Sequence, residues 1–286
     1  MVLYGRTDLA SEVRSRILRD AQSACALHGV RAEEKTLFGL PVTEVEILDE
    51  DGAKLLGKAP GRYETLELPS PLSRGDARFS DAASAIAVLM RRLLPRALSN
   101  GVLIAALGNP DVTPDALGSL TAGNLLVTRH LKQCGEPAFE DFCSTLLCRT
   151  GVLGTTGLES AAQIRALCEA VKPDCVIAVD ALAGSELTGL CRTVQICNTG
   201  IAPGSGVGND REALNEGYLG VPVLAVGVPT VMDASALTRQ EGVGDLFVTP
   251  RFIDSAVRSV ARVLGYGINL ALHEGITVED IDLLVG

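Results

Sequence analysis

Apolar residues recur along this chain at two periods, and the switches between them outline its elements. DLASEVRSRILRDAQSA (8–24) spaces Leu9, Val13, Ile17 and Leu18 at helical intervals, which predicts an amphipathic helix. Residues 43–68 change to period two, with VEIL and ETLEL on either side of DEDG, which predicts a small β-hairpin excursion. From Phe79, FSDAASAIAVLMRRLLPRAL predicts a long helix leading into GVLIAALG, a continuous apolar run of the kind buried on both faces of a parallel sheet. The rhythm continues with a helix opened by Thr113 and Pro114, another opened near Glu159, the strands CVIAVD, TVQIC and VPVLAVGV, and a last helix opened by Thr249 and Pro250. This alternation predicts a single α/β domain over residues 1–286, with a mostly parallel twisted sheet flanked by helices.

In open parallel sheets the chemistry collects beyond the carboxyl ends of the strands. That rule selects GNPDVTPDALG, DALAGS, NTGIAPGSGVGN and GVPTVMDA, and three of the four carry aspartate. Asp180 closes CVIAVD after five uncharged residues, where a charge costs free energy unless partnered. It either caps the turn into ALAG or belongs to a site. Asp115 follows Thr113 as helix N-cap and Pro114 as first helical residue, where the helix dipole favours a carboxylate. Two such aspartates on neighbouring strands would converge on one crevice, and like charges would force their ionisations apart. The ionised member can then activate water while the other protonates an amide or its oxyanion. Asp233, in GVPTVMDA, is either a third member or a helix cap.

The loop NTGIAPGSGVGND sets Gly204, Gly206 and Gly208 at alternate positions, yet it is not a phosphate cradle. A dinucleotide fingerprint would need glycine where Asn209 stands, and no Gly-Lys-Ser or Gly-Lys-Thr occurs. With Ser205 and Asn209, the glycines either present bare backbone to an extended peptide or an oxyanion, or simply permit a tight turn. There is no Gly-x-Ser-x-Gly elbow, because Pro203 lies two positions before Ser205.

Composition narrows the classes. A chain of 286 residues, 47% apolar, can bury a large core. Its net charge of -10, with no basic run interleaved with aromatics, argues against a direct nucleic-acid partner. MVLYGRTDLASE has no signal-peptide pattern and the apolar runs are too short to span a bilayer, so the expectation is a protein inside the cell, without a membrane partner. Eight cysteines without a Cys-x-x-Cys, and three scattered histidines (His28, His130 and His273), predict reduced thiols and no metal. No organic cofactor is expected either. His130 reads as a helix-end histidine facing solvent or a carbonyl.

RTDLA, TPDALG with NLLVTRHL, GTTGLE, VIAVDALA, NTGIAPGSGVGN, GVPTVMDA, and VTPRFID with NLALH occur in an order that resembles the germination protease family of spore-forming bacteria. These motifs run over nearly the whole chain. The resemblance implies an aspartic-type endopeptidase, unrelated to pepsin, that degrades small acid-soluble spore proteins in the germinating spore's cytoplasm. It further implies synthesis as a zymogen, a homotetramer, and a phosphorylase/hydrolase-like α/β fold similar to that of hydrogenase-maturation endopeptidases. The family's catalytic aspartates fall in TPDALG and VIAVDALA, which carries the role to Asp115 and Asp180.

Three departures accompany the likeness. Only Met1 to Gly5 precede RTDLA, so no propeptide of the family's kind is expected to hold the chain inactive. The stretch between GVPTVMDA and FVTPRFID is shorter than in the family, and GNPDV stands where the family carries a tryptophan. Two other functions fit parts of the pattern: a hydrogenase-maturation-type endopeptidase, with His130 as its metal-sensing histidine, and a non-catalytic peptide- or small-ligand-binding module.

Overall fold

The apolar runs become the central strands of one mixed sheet in the computed structural model, which describes residues 6–20, 27–69, 72–204, 211–237 and 246–285. Met1 to Gly5, the end of the first predicted helix, the loop residues Ser205, Gly206, Gly208 and Asn209, and most of the short stretch after GVPTVMDA lie outside the described residues.

In chain order the first elements are α1 (Ala10–Asp20), β1 (Val30–Leu37), β2 (Leu40–Ile47), α2 (Glu50–Leu56), β3 (Gly61–Glu67), α3 (Ala77–Leu93) and β4 (Val102–Leu107). There follow α4 (Leu117–Ala122), α5 (Arg129–Gln133), β5 (Thr145–Gly151), α6 (Leu153–Thr156), α7 (Ser160–Val171), β6 (Cys175–Gly184) and β7 (Thr193–Cys197). The chain ends with α8 (Glu216–Leu219), β8 (Val223–Asp233), β9 (Phe247–Val248), α9 (Ile253–Leu272) and α10 (Val278–Val285).

The sheet runs β1-β2-β3-β7-β8-β6-β4-β5, with β9 on β8. Its β8-β6-β4-β5 half is parallel, as the buried apolar runs predict. The other half, through β7, β3, β2 and β1, is antiparallel. The sheet is therefore mixed: TVQIC pairs in the opposite direction to VPVLAVGV, and the hairpin excursion is its continuation through β3 and β7. That excursion begins at Val30, and the DEDG inside it is a helix start: Asp49 accepts hydrogen bonds from the N–H groups of Asp51 and Gly52, capping α2.

Successive residues of the central strands enter different cores. Ile104, Ile177, Val179 and Val226 face α3 and α9. Leu103, Ala105, Val176 and Ala178 face α7. Both faces of the parallel half are thus covered, which is why its strands carry no polar alternation. α3 stops at Leu93, ahead of Pro95, where the expected helix ran to Leu98. It lies against α9, with Phe79 and Tyr266 edge to face at 5.1 Å between ring centroids. The helix foreseen at Thr249-Pro250 starts at Ile253 and is followed by a further helix, α10.

Candidate active site

The chain reverses direction across the sheet at β4, with β5 on one side and β6 on the other. In a sheet of this kind such a switch point opens a crevice beyond the strand ends. β4 has its last β6 partner at Val179, whereas β6 and β8 stay paired as far as Gly184 and Met232. Asp180, opposite Gly227, is the first residue beyond the shelter of β4. Its expected strand-end position is therefore corrected: ALAG continues β6, because the second half of β8 supplies a partner for it.

Asp115 reaches the same place from the loop after β4. Gly108 turns the chain with φ +92°, and a Cβ there would collide with the carbonyl oxygen of Asp115. The Asn109 N–H donates to Asp115 Oδ2 at 2.8 Å. Thr113–Asp115 forms a 3-10 turn ahead of α4, and Thr113 is not its cap. The Thr113 hydroxyl donates to Asp254 at 2.9 Å instead, tying the turn to the start of α9. On its other side the Thr230 hydroxyl donates to the Pro114 carbonyl at 2.7 Å.

The turn can come so close because the second residue of α4, Gly118, lies against the sheet. A Cβ on Gly118 would stand 2.6 Å from the Leu107 nitrogen and 2.7 Å from the Val179 oxygen. Any side chain there would push Asp115 away from Asp180.

The two carboxyls line one cavity of about 370 Å³. Asp180 is only 4% exposed, and burial raises its pKa well above the carboxylate range. The charge of Asp115 adds to that rise and so does Asp8, against the Ala181 N–H at 2.9 Å and the more distant Arg211. Asp115 is half-buried and its pKa is also raised by burial, against the Asn109 N–H and the charge of Arg211. Hydrogen bonding from Asn109 favours the ionised form of Asp115, while Asp180 faces two negative charges.

Two charged groups of the cavity escape a reading by strand ends. Asp8, in RTDLA, is fixed by a reciprocal pair of hydrogen bonds: its N–H to the Ala183 oxygen and the Ala183 N–H to its Oδ2, both 2.9 Å. Arg211 follows the glycine-rich loop and lines the cavity with Gly204, whose φ is +75°. The sequence signal for both is faint, since Asp8 opens the predicted first helix and Arg211 follows a glycine-rich loop, and only the fold brings them to residues 115 and 180.

Asp233 is not in the cavity. It caps the turn at Ala234–Ala236 by accepting from the Ser235 N–H at 2.8 Å. His130 is exposed on α5 and does not line the cavity either, so it is not placed to sense a metal there. Among the described residues no group of three metal-ligating side chains comes together, and the seven of the eight cysteines that are described are free thiols.

A second cavity of about 360 Å³ shares Asp8, Leu182 and Ala202 with the first and continues past Lys58 and Tyr63. Together they form a groove with the carboxyl pair at one end. Val112 and Phe247, 48% and 42% exposed, stand at its rim as apolar contacts.

The family model described as Germination protease matches residues 7–243. A germination protease of Clostridium perfringens (strain ATCC 13124) is 37% identical, covering 97% of this chain and 98% of the relative. One from Caldanaerobacter subterraneus subsp. tengcongensis is 38% identical, covering 100% and 99%. One from Geobacillus sp. (strain WCH70) is 41% identical over 82% of this chain and 65% of its own length. Among solved structures, a NiFe hydrogenase maturation protease from Thermococcus kodakarensis KOD1 aligns with a TM-score of 0.37 at 17% identity, over 63% of this chain and 98% of that one.

Proposed function

Because the chain belongs to the germination protease family, we propose that its cleft hydrolyses peptide bonds with Asp115 as general base and Asp180 as general acid. The observation that carries this reading is the pair itself: two carboxyls in one cavity at the switch point, both with pKa values raised by burial, with Asp180 the more deeply buried and facing the charge of Asp115. The Asp115 carboxylate takes a proton from water as the water oxygen bonds to the substrate carbonyl carbon. The Asp180 proton passes to the carbonyl oxygen. When the tetrahedral carbon collapses, the C–N bond breaks and the leaving nitrogen takes up the proton held by Asp115, while the hydroxyl proton returns to Asp180. No stored nucleophile is required.

The groove through Asp8, Leu182 and Ala202 suits an extended peptide, and the apolar rim at Val112 and Phe247 suits its side chains. With the family resemblance, this reading takes small acid-soluble spore proteins, degraded within the germinating spore, as the substrate class and a tetramer as the assembly.

The test is cleavage of a small spore protein by Asp115→Asn and Asp180→Asn. Each is expected to lose a factor on the order of a hundred or more in turnover with an unchanged circular dichroism spectrum. Near-parent cleavage by either variant overturns the pair. Activity is expected to survive exhaustive chelation, and loss restored by zinc would instead favour the maturation-type mechanism.

A further inference from the structure

Arg211 has no role in the reaction as written above, yet its position is specific. It sits where the glycine-rich loop returns to the fold. Ile201 and Leu214 close that loop with two backbone hydrogen bonds, of 2.9 and 2.8 Å, and Arg211 lies three residues inside this closure. It is half-buried, lines the cavity with Asp8, Asp115 and Asp180, and among the described residues forms no ion pair or hydrogen bond. By contrast, Arg31, Arg62, Arg74 and Arg78 each hold a carboxylate within 3.2 Å.

The charged groups facing the cavity come from four separate stretches. Asp8 arrives from the segment before α1, Asp115 from the turn after β4, Asp180 from β6, and Arg211 from the loop after β7. The ends of β5 and β8, the start of α7 and β9 contribute only uncharged residues. The cluster is thus three carboxyls with Arg211 in the same cavity, and Lys58 faces Asp8 from the adjoining one. Three carboxyls in a poorly solvated space take up protons readily, and a second proton on the pair would remove the base.

We propose that Arg211 is the positioning cation that keeps the carboxyl cluster to a single proton at working pH, and so preserves Asp115 as the base. The inference rests on the carboxyl-pair reading given above. Its charge opposes protonation of both Asp115 and Asp180. It acts through those groups, so its signature is the pH at which activity fails on the acid side.

The experiment is the pH dependence of kcat/KM for spore-protein cleavage in the parent, Arg211→Gln, Arg211→Lys and Asp8→Asn. Removing the cation should move the acid limb upward by about half a unit to one unit. Arg211→Lys should keep the limb near the parent's. Removing the third carboxylate in Asp8→Asn should move it the other way, and that variant carries the test should Arg211→Gln not fold. A limb that stays put in Arg211→Gln, or that moves the same way in Arg211→Gln and Asp8→Asn, overturns the inference. If Asp115→Asn is inactive while the limb is unmoved, the pair stands and Arg211 falls. If Asp115→Asn cleaves normally, the pair itself falls.

Discussion

Two carboxyl groups, Glu46 in the antiparallel half of the sheet and Asp180 in the parallel half, are treated in opposite ways. In the antiparallel half, Arg31, Glu46 and Arg62 are successive register partners across β1, β2 and β3, and Glu46 holds both arginines at 3.1 Å. These arginine side chains are 71% and 48% exposed, so water and salt screen the ladder. In the parallel half, Asp180 stands between strands whose side chains are buried on both faces, beside two further negative charges and without a cation in contact. One carboxylate is neutralised by its neighbours in register. The other is kept in a position that works against the fold's own stability. The difference between these two positions is one of partners: Glu46 has two cations in register with it, and Asp180 has none in contact among the described residues.

Substitutions can break that comparison at different depths. The largest effect is expected at Gly118, where the parallel half holds the turn that carries Asp115 against the sheet. Gly118→Val should cost about 3 kcal/mol or more, because the backbones of Leu107 and Val179 cannot give way, and should lower Tm by roughly 6–12 °C. Differential scanning calorimetry checks this, and a parent-like Tm would show that the approach is looser than the contacts imply.

Asp180→Asn should act on stability with the opposite sign. A carboxyl whose folded pKa is raised contributes stability at low pH, and that contribution is lost as pH rises through the folded value. Replacing it by the neutral amide should therefore raise Tm by a few degrees near pH 7.5 and by progressively less as pH falls toward 4. An inactive variant that is also less stable at neutral pH would contradict the burial argument. The smallest effect is expected in the antiparallel half. Glu46→Gln should change stability by no more than about 0.5 kcal/mol in urea titration, and less in high salt. A loss of several kcal/mol there would erase the distinction between the halves.

What the amino-acid pattern reveals follows the same division. Strands β4, β6 and β8 are plain because uninterrupted apolar runs can only be doubly buried. β1 is not, because VRAEEKTL is a charged edge strand whose pairing depends on β2. β5 is missed for a related reason: as the opposite edge, Thr145–Gly151 mixes buried and half-exposed residues and carries a cysteine and an arginine. Residues Ala181–Gly184 read as a turn because small residues end many strands, and only Val228–Met232 opposite shows otherwise. Within the site, Asp115 and Asp180 are legible from their place after apolar runs. Asp8 and Arg211 are not, since Asp8 is bonded to Ala183 across more than 170 positions of chain and Arg211 meets Asp115 and Asp180 only as a lining residue of the same cavity. Local propensity says nothing about such distances.

The clasp between Ile201 and Leu214 has a consequence for how this groove can diversify. The two ends of the intervening segment are held to each other by main-chain bonds that depend on no particular side chain. Lengthening such a closed segment costs only about 0.6 kcal/mol for each doubling. The chain inside the clasp can therefore change in length at small cost, while the turn and the strand that carry Asp115 and Asp180 lie outside it.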